Sequence, residues 1–127
     1  MIEHKFEKVS NGYKISSGEQ TISYSFCGSV PDSVVNTPQS IKGQRVKTLM
    51  GFYTDSNFRN QGYGKRLIEH IVEQETLAGT QHLTLGVAKN NEYAIRLYES
   101  CGFSVSGDLA TIGNGSYHLM HLNLFKI

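Results

Sequence analysis

Between Val46 and Ala88 the spacing of apolar residues passes from a period of two to a helical period and back, and no other feature constrains the fold as tightly. Val46 to Thr54 reads as a strand whose apolar residues are Leu49, Met50, Phe52 and Tyr53. About Gly62 to Leu77 reads as a helix: Leu67, Ile68, Ile71 and Val72 fall at helical spacing, and Gly79 can stop it. His82 to Ala88 reads as a second strand, with Leu83, Leu85 and Val87 on one face. A strand, a helix and a strand in succession form a crossover unit, which predicts that the two strands are parallel.

The link from the first of these strands into the helix carries chemistry. Phe52 to Lys65 reads FYTDSNFRNQGYGK, with Gly62 and Gly64 where the helix begins. Glycine lets a bulky ligand come close to the main chain. The first N–H groups of a helix lack internal partners and its dipole is positive there, so a glycine-opened start suits a phosphate. Arg59 and Lys65 flank the turn and add full positive charge. Two nucleotide patterns do not fit. A dinucleotide fingerprint needs a third glycine where Leu67 stands and an acid near His82, and GxxxxGK[ST] is missing. The residues alone indicate a phosphate-bearing ligand and leave a nucleotide-binding domain as a rival.

The flanking segments are less marked. Residues 2 to 27 read as three antiparallel strands, with Asn11-Gly12 as a hairpin signal and a second turn at Ser17-Gly18-Glu19. Residues 28 to 45 hold both prolines and read as a long loop, with one short helical turn near Pro31 to Asn36. Asn91 to Cys101 reads as a second helix. Ala94, Leu97, Tyr98 and Cys101 form its stripe, Asn90 or Asn91 its cap, and Gly102 its end. Phe103 to Leu109 and Tyr117 to Phe125 read as strands joined by a turn at Gly113 to Gly115. The fold expected is α/β, a mixed sheet with helices on it, as a single domain over residues 1–127.

A net charge of +1 gives no basic field, so nucleic acid is not expected as a partner. Met1 to Glu7 is charged, unlike a leader, and no apolar run approaches the ~20 residues that span a bilayer. A cytoplasmic chain with no membrane partner is expected. Cys27 and Cys101 read as free buried thiols. The oligomeric state stays open, a homodimer included.

Residues 91–103 read NEYAIRLYESCGF. Together with RNQGYG at 59–64, this stretch resembles the GNAT superfamily of N-acetyltransferases. Arg59, Gly62 and Gly64 match the family's [Q/R]-x-x-G-x-[G/A] turn. Asn91, Ala94, Leu97, Tyr98, Gly102 and Phe103 match its N-x-x-A-x-x-L-Y-x-x-x-G-F helix. The lead-in TDSNFR looks like the family's V-x-P-x-Y-R, with Ser56 in place of proline. The resemblance covers about Leu49 to Leu109 and is poor before residue 46.

It implies a GNAT-like fold and acetyl transfer from acetyl-CoA to an amine in a ternary complex. The main chain of Phe52, Tyr53 and Thr54 would lie beside the pantetheine arm. The N–H groups of Arg59, Asn60, Gln61, Gly62, Tyr63, Gly64 and Lys65 would hold the pyrophosphate. Asn91 would bond the pantetheine arm. Tyr98 would sit near the sulfur and protonate the departing thiolate, and an N–H near Tyr53 or Thr54 would stabilise the oxyanion. No metal is implied. Gly86 stands where the ribosomal-protein alanine acetyltransferase branch carries a glutamate base. A water path, another group or a substrate that arrives already neutral would take its place, with His118, His121 and Glu92 as the candidate groups, and Gly86 also motivates a catalytically silent acyl-CoA-binding module as the alternative. The family's two helices between its first and second strands have no counterpart in residues 10 to 30, which read as hairpins, so the acceptor amine is not named.

Overall fold

The computed structural model describes residues 3–31, 38–108 and 116–124. Its strands are β1 (Lys5–Val9), β2 (Gly12–Ser17), β3 (Gln20–Gly28), β4 (Val46–Thr54), β5 (His82–Ala88), β6 (Ser104–Asp108) and β7 (Tyr117–Asn123). Helix α1 (Tyr63–Leu77) joins β4 to β5, and α2 (Glu92–Ser100) joins β5 to β6. The strands form one seven-stranded sheet in the order β1-β2-β3-β4-β5-β7-β6. Only β4 and β5 pair in parallel, as the crossover pattern predicts; every other neighbouring pair is antiparallel.

The three N-terminal strands are the expected meander, with one correction. Val9 pairs with Gly12, so the first turn is Ser10-Asn11 and Gly12 already belongs to β2. Glycine is needed there because a Cβ would lie 2.1 Å from the Ser25 carbonyl oxygen. The second turn is Gly18-Glu19, with Gly18 at φ 58. The 28–45 loop shortens, because β3 runs to Gly28 and a single 3₁₀ turn occupies Gln39–Ile41. The helical turn expected near Pro31 to Asn36 lies, apart from Pro31, outside the described residues, as does the turn at Gly113 to Gly115.

Both helices lie on one face of the sheet. Leu67, Ile68 and Ile71 of α1 and Tyr98 of α2 close over Ile15, Leu49, Leu83, Leu85 and Met120. The stripe read from sequence is therefore the core side of α1. Glu75 continues it and is buried too, at 1% exposure. Its carboxylate accepts from the Tyr13 hydroxyl (2.5 Å) and Thr80 Oγ1 (2.6 Å), and pairs with Lys47 Nζ at 3.0 Å. Burial pushes this carboxyl up, but the bonds from Thr80, Tyr13 and Lys47 outweigh it and hold it below the usual carboxylate range.

Removing one partner of such a group leaves a charge without compensation. Lys47→Met should cost about 3 kcal/mol in urea unfolding near neutral pH. The sign with pH follows from the depressed pKa. The wild-type contribution is present above the ordinary value of 4.5 and is lost as pH falls through the folded one. Below that range the two proteins should converge in stability.

The opposite face of the sheet is more polar. Thr48 and Thr84 share a hydrogen bond of 2.9 Å between hydroxyls. His82 Nε2 lies 2.6 Å from Gln44 Oε1, which can only accept, so the His82 Nδ1 accepts from His121 Nε2 at 2.8 Å. Burial lowers the pKa of both rings, and for His121 the His82 charge lowers it further. Stability is therefore full above the ordinary value of 6.5 and falls as pH drops below it. His82→Asn should flatten the stability-against-pH curve below about 6.5, measured by urea midpoints. Among the described residues no helix is long and apolar enough to cross a membrane.

Candidate functional site

The site is built on a place where two strands part. β4 and β5 pair from Val46–His82 to Leu49–Leu85 and no further, although β4 continues to Thr54 and β5 to Ala88. The cause lies in β4. Tyr24 faces Tyr53 but Phe26 faces Met50, so β4 carries an extra residue against β3. Gly51 sits in this bulge at φ 63, a left-handed conformation that favours glycine. A bulge bends its strand, and this one leaves the end of β4 apart from β5. Phe52, Tyr53 and Thr54 therefore turn one main-chain edge toward a gap instead of toward β5.

Helix α1 starts at the mouth of that gap. Gly62 caps it at φ 83 with no side-chain hydrogen bond, so the N–H groups of the first turn are left for a ligand. Asn60 is also left-handed, at φ 61. Gly64 serves another purpose: a Cβ there would lie 2.9 Å from Phe52 Cζ, so glycine lets α1 close onto the Phe52 ring. Arg59 Nε donates to the Thr54 carbonyl at 3.1 Å, which ties the turn to the end of β4. Before it, Asp55 accepts from the Asn57 N–H and caps a 3₁₀ turn over Ser56–Phe58 that the sequence reading lacked.

A cavity of about 450 Å³ lies between these elements and the start of α2. Phe52, Tyr53, Thr54, Arg59, Asn60, Gly62, Tyr63, Gly64, Lys65, Asn91 and Tyr98 all line it. Gln61 does not, and its amide donates to the Asn57 carbonyl at 3.3 Å. Asn91 caps α2 by accepting from the Ala94 N–H at 3.1 Å, which occupies its carbonyl and leaves its NH₂. Phe58, Tyr93, Ala94 and Leu97 complete the wall. The helical spacing of Ala94 and Leu97 with Tyr98 was legible as a stripe; that part of it faces a cavity was not.

Tyr98 stands at the junction of this cavity and a second one of about 200 Å³. It is 7% exposed, with its ring against Phe52 at 5.9 Å and Phe103 at 6.2 Å. Burial pushes its hydroxyl up to about 12, and Cys101 adds to the rise. The second cavity lies in the gap itself, with Leu49, Phe52, Ile68 and Leu85 beneath and Met50, Gly51 and Gly86 at its mouth. Leu49 and Leu85 face the helices, so the adjacent Met50 and Gly86 face the other side of the sheet. The two cavities thus approach Tyr98 from opposite faces.

The substitutes considered for the missing glutamate are scattered. His121 is bonded to His82 and lies across from Thr84, further back from the gap than Gly86. His118 lies across from Val87, on the helix side, and its buried Nδ1 has no hydrogen-bond partner among the described residues. Glu92 is exposed in the first turn of α2. None of the three lines either cavity. Among the described residues no group of three or more His, Cys, Asp and Glu side chains could hold a metal.

Residues 23–103 match the model of the acetyltransferase (GNAT) family. Over 57 residues the chain is 39% identical to the [ribosomal protein bS18]-alanine N-acetyltransferase of Escherichia coli K12, covering 45% of this chain and 38% of the relative. Over 62 residues it is 36% identical to the spermine/spermidine N(1)-acetyltransferase of Bacillus subtilis 168, covering 46% and 39%. The matches thus span well under half the length of these relatives. Among solved structures, the E. coli ribosomal-protein-S18-alanine N-acetyltransferase superposes with a TM-score of 0.68 at 21% identity, over 94% of this chain and 74% of that one. A B. subtilis acetyltransferase in complex with CoA superposes with a TM-score of 0.69 at 13% identity, over 98% and 100%. The seven-stranded mixed sheet is the fold of these structures, and with most of its length matched by the family model the chain belongs to the GNAT acetyltransferase family.

Proposed function

We propose that this chain transfers an acetyl group from acetyl-CoA to an amine, with residues 1–127 acting as one N-acetyltransferase domain. The observation that carries the reading is the uncapped start of α1, which opens with the unpaired end of β4 onto one cavity that ends at Tyr98. Relatives that act on an alanine of a ribosomal protein and on spermine or spermidine support an amine acceptor, and no relative favours the silent binding module. A cytoplasmic location belongs to the same proposal and is supported by the two free thiols, Cys27 and Cys101.

The cavity suits the coenzyme on physical grounds. The N–H groups of Tyr63, Gly64 and Lys65, the α1 dipole and the Lys65 charge would hold the diphosphate. The exposed edge of Phe52, Tyr53 and Thr54 would pair with the amides of the pantetheine arm as a strand would. The Asn91 NH₂ would add a donor to that arm. When bound, acetyl-CoA would supply an acyl carbon activated as a thioester. A main-chain N–H near Tyr53 or Thr54 would steady the charge that develops on the acyl oxygen, and Tyr98 would face the sulfur.

The pKa of Tyr98 sharpens its role. A hydroxyl at about 12 is protonated at neutral pH and can donate. The burial that raises Tyr98 would also raise the pKa of a thiolate formed beside it, so the Tyr98 hydroxyl would donate to the sulfur as negative charge gathers there, and the attacking amine sheds the proton that balances the step. The test is acetyl-CoA turnover by the purified chain with mixed amines: thiol release that depends on an amine supports the reading, and binding without turnover contradicts it.

A further inference from the structure

The smaller cavity has a composition that selects among amines. Among the described residues Tyr98 is the one ionisable side chain on its wall, and Leu49, Phe52, Ile68 and Leu85 are apolar. At the position open to the far face stands Gly86, with no side chain at all. The adjoining outer surface of β3 and β4 is aromatic and soft. Tyr24 pairs with Tyr53, their rings 6.0 Å apart, and Phe26 pairs with Met50. Tyr53 and Met50 are 47% and 39% exposed, and Met50 lines the cavity.

We propose that the acceptor is a weakly basic aromatic amine, of the aniline type and uncharged at neutral pH, that enters this cavity from the face of the sheet opposite the helices. The inference rests on the acetyl-transfer reading above and names its substrate class. Two physical points carry it. An ammonium entering here would lose its water and meet no carboxylate among the described lining residues. Near neutral pH only roughly one alkylamine of lysine type in a thousand is uncharged, and none of the described lining residues is a base that would supply that form. An aniline nitrogen shares its lone pair with the ring and needs no such help. Its ring also matches the space, which measures about 200 Å³ with apolar side chains on its inner wall. Met50 offers a thioether in the wall, and Tyr53 an exposed ring further along β4.

The step balances without another reagent. The nitrogen lone pair forms a C–N bond to the acyl carbon, the C–S bond breaks, and the proton shed by nitrogen passes to the sulfur. The products are an N-aryl acetamide and the CoA thiol.

The full chain with acetyl-CoA should be assayed for thiol release with 4-methoxyaniline, spermine and a peptide beginning with alanine. kcat/KM for the aniline is expected to exceed both others by about tenfold or more, and to be flat between about pH 6 and 9. Any alkylamine activity should rise about tenfold per pH unit as its own nitrogen deprotonates. Gly86→Glu should raise spermine turnover and lower aniline turnover. Preference for spermine or the peptide in the wild type overturns this proposal and leaves acetyl transfer standing; acetyl-CoA binding with no amine acetylated overturns both.

Discussion

Gly62→Val is expected to weaken acetyl-CoA binding by about 100-fold, or roughly 2.7 kcal/mol in calorimetry, while the chain stays folded. Two effects act together. Gly62 sits at φ 83, where a β-branched residue is strained by about 1–3 kcal/mol. A Cβ there meets nothing within 4 Å, and Gly62 lines the larger cavity, so the new side chain would project into space meant for the diphosphate. The core does not touch this position, so circular dichroism should retain the native spectrum with a modestly lower melting point. Gly62→Ala shares the strain with less bulk and should fall between the two. Unchanged affinity in Gly62→Val would remove the phosphate assignment.

Tyr98→Phe should lower kcat by about 100-fold and leave the affinity for acetyl-CoA within a fewfold of wild type. The ring contacts with Phe52 and Phe103 survive the change, so the variant isolates the hydroxyl. The pH dependence supplies a second readout. Because burial holds Tyr98 at about 12, its donor form persists well above the ordinary tyrosine value of 10. The wild-type rate should therefore show no alkaline fall up to about pH 10. Equal kcat in the two proteins would exclude a chemical role for Tyr98.

The two helices and the parallel strand pair were legible because each depends on local signals. Leu67, Ile68 and Ile71 repeat at helical spacing, Asn91 caps, and Gly79 and Gly102 stop the chain in left-handed conformations. Of the expected site residues, Gln61 alone lies off the larger cavity. The features that escaped sequence reading depend on partners remote along the chain. Gly51 gave a readable signal, since a lone glycine in a strand often marks a bulge, but only pairing with Tyr24 and Phe26 shows that β4 leaves β5. Glu75 also left a trace, a carboxylate on an apolar stripe, yet its donor Tyr13 lies 62 residues away. The union of His82 with His121 needed the β5–β7 register. Gly64 was read as room for a ligand, whereas its tightest neighbour is the Phe52 ring.

If the first turn of α1 holds the coenzyme's diphosphate beside the gap between β4 and β5, amide chemical shifts in a titration with CoA will reveal it. The N–H signals of Tyr63, Gly64 and Lys65 should move furthest downfield, with Phe52 to Thr54 following, and pantetheine without the diphosphate should move only the second group. A saturable response that leaves residues 63–65 in place would contradict it.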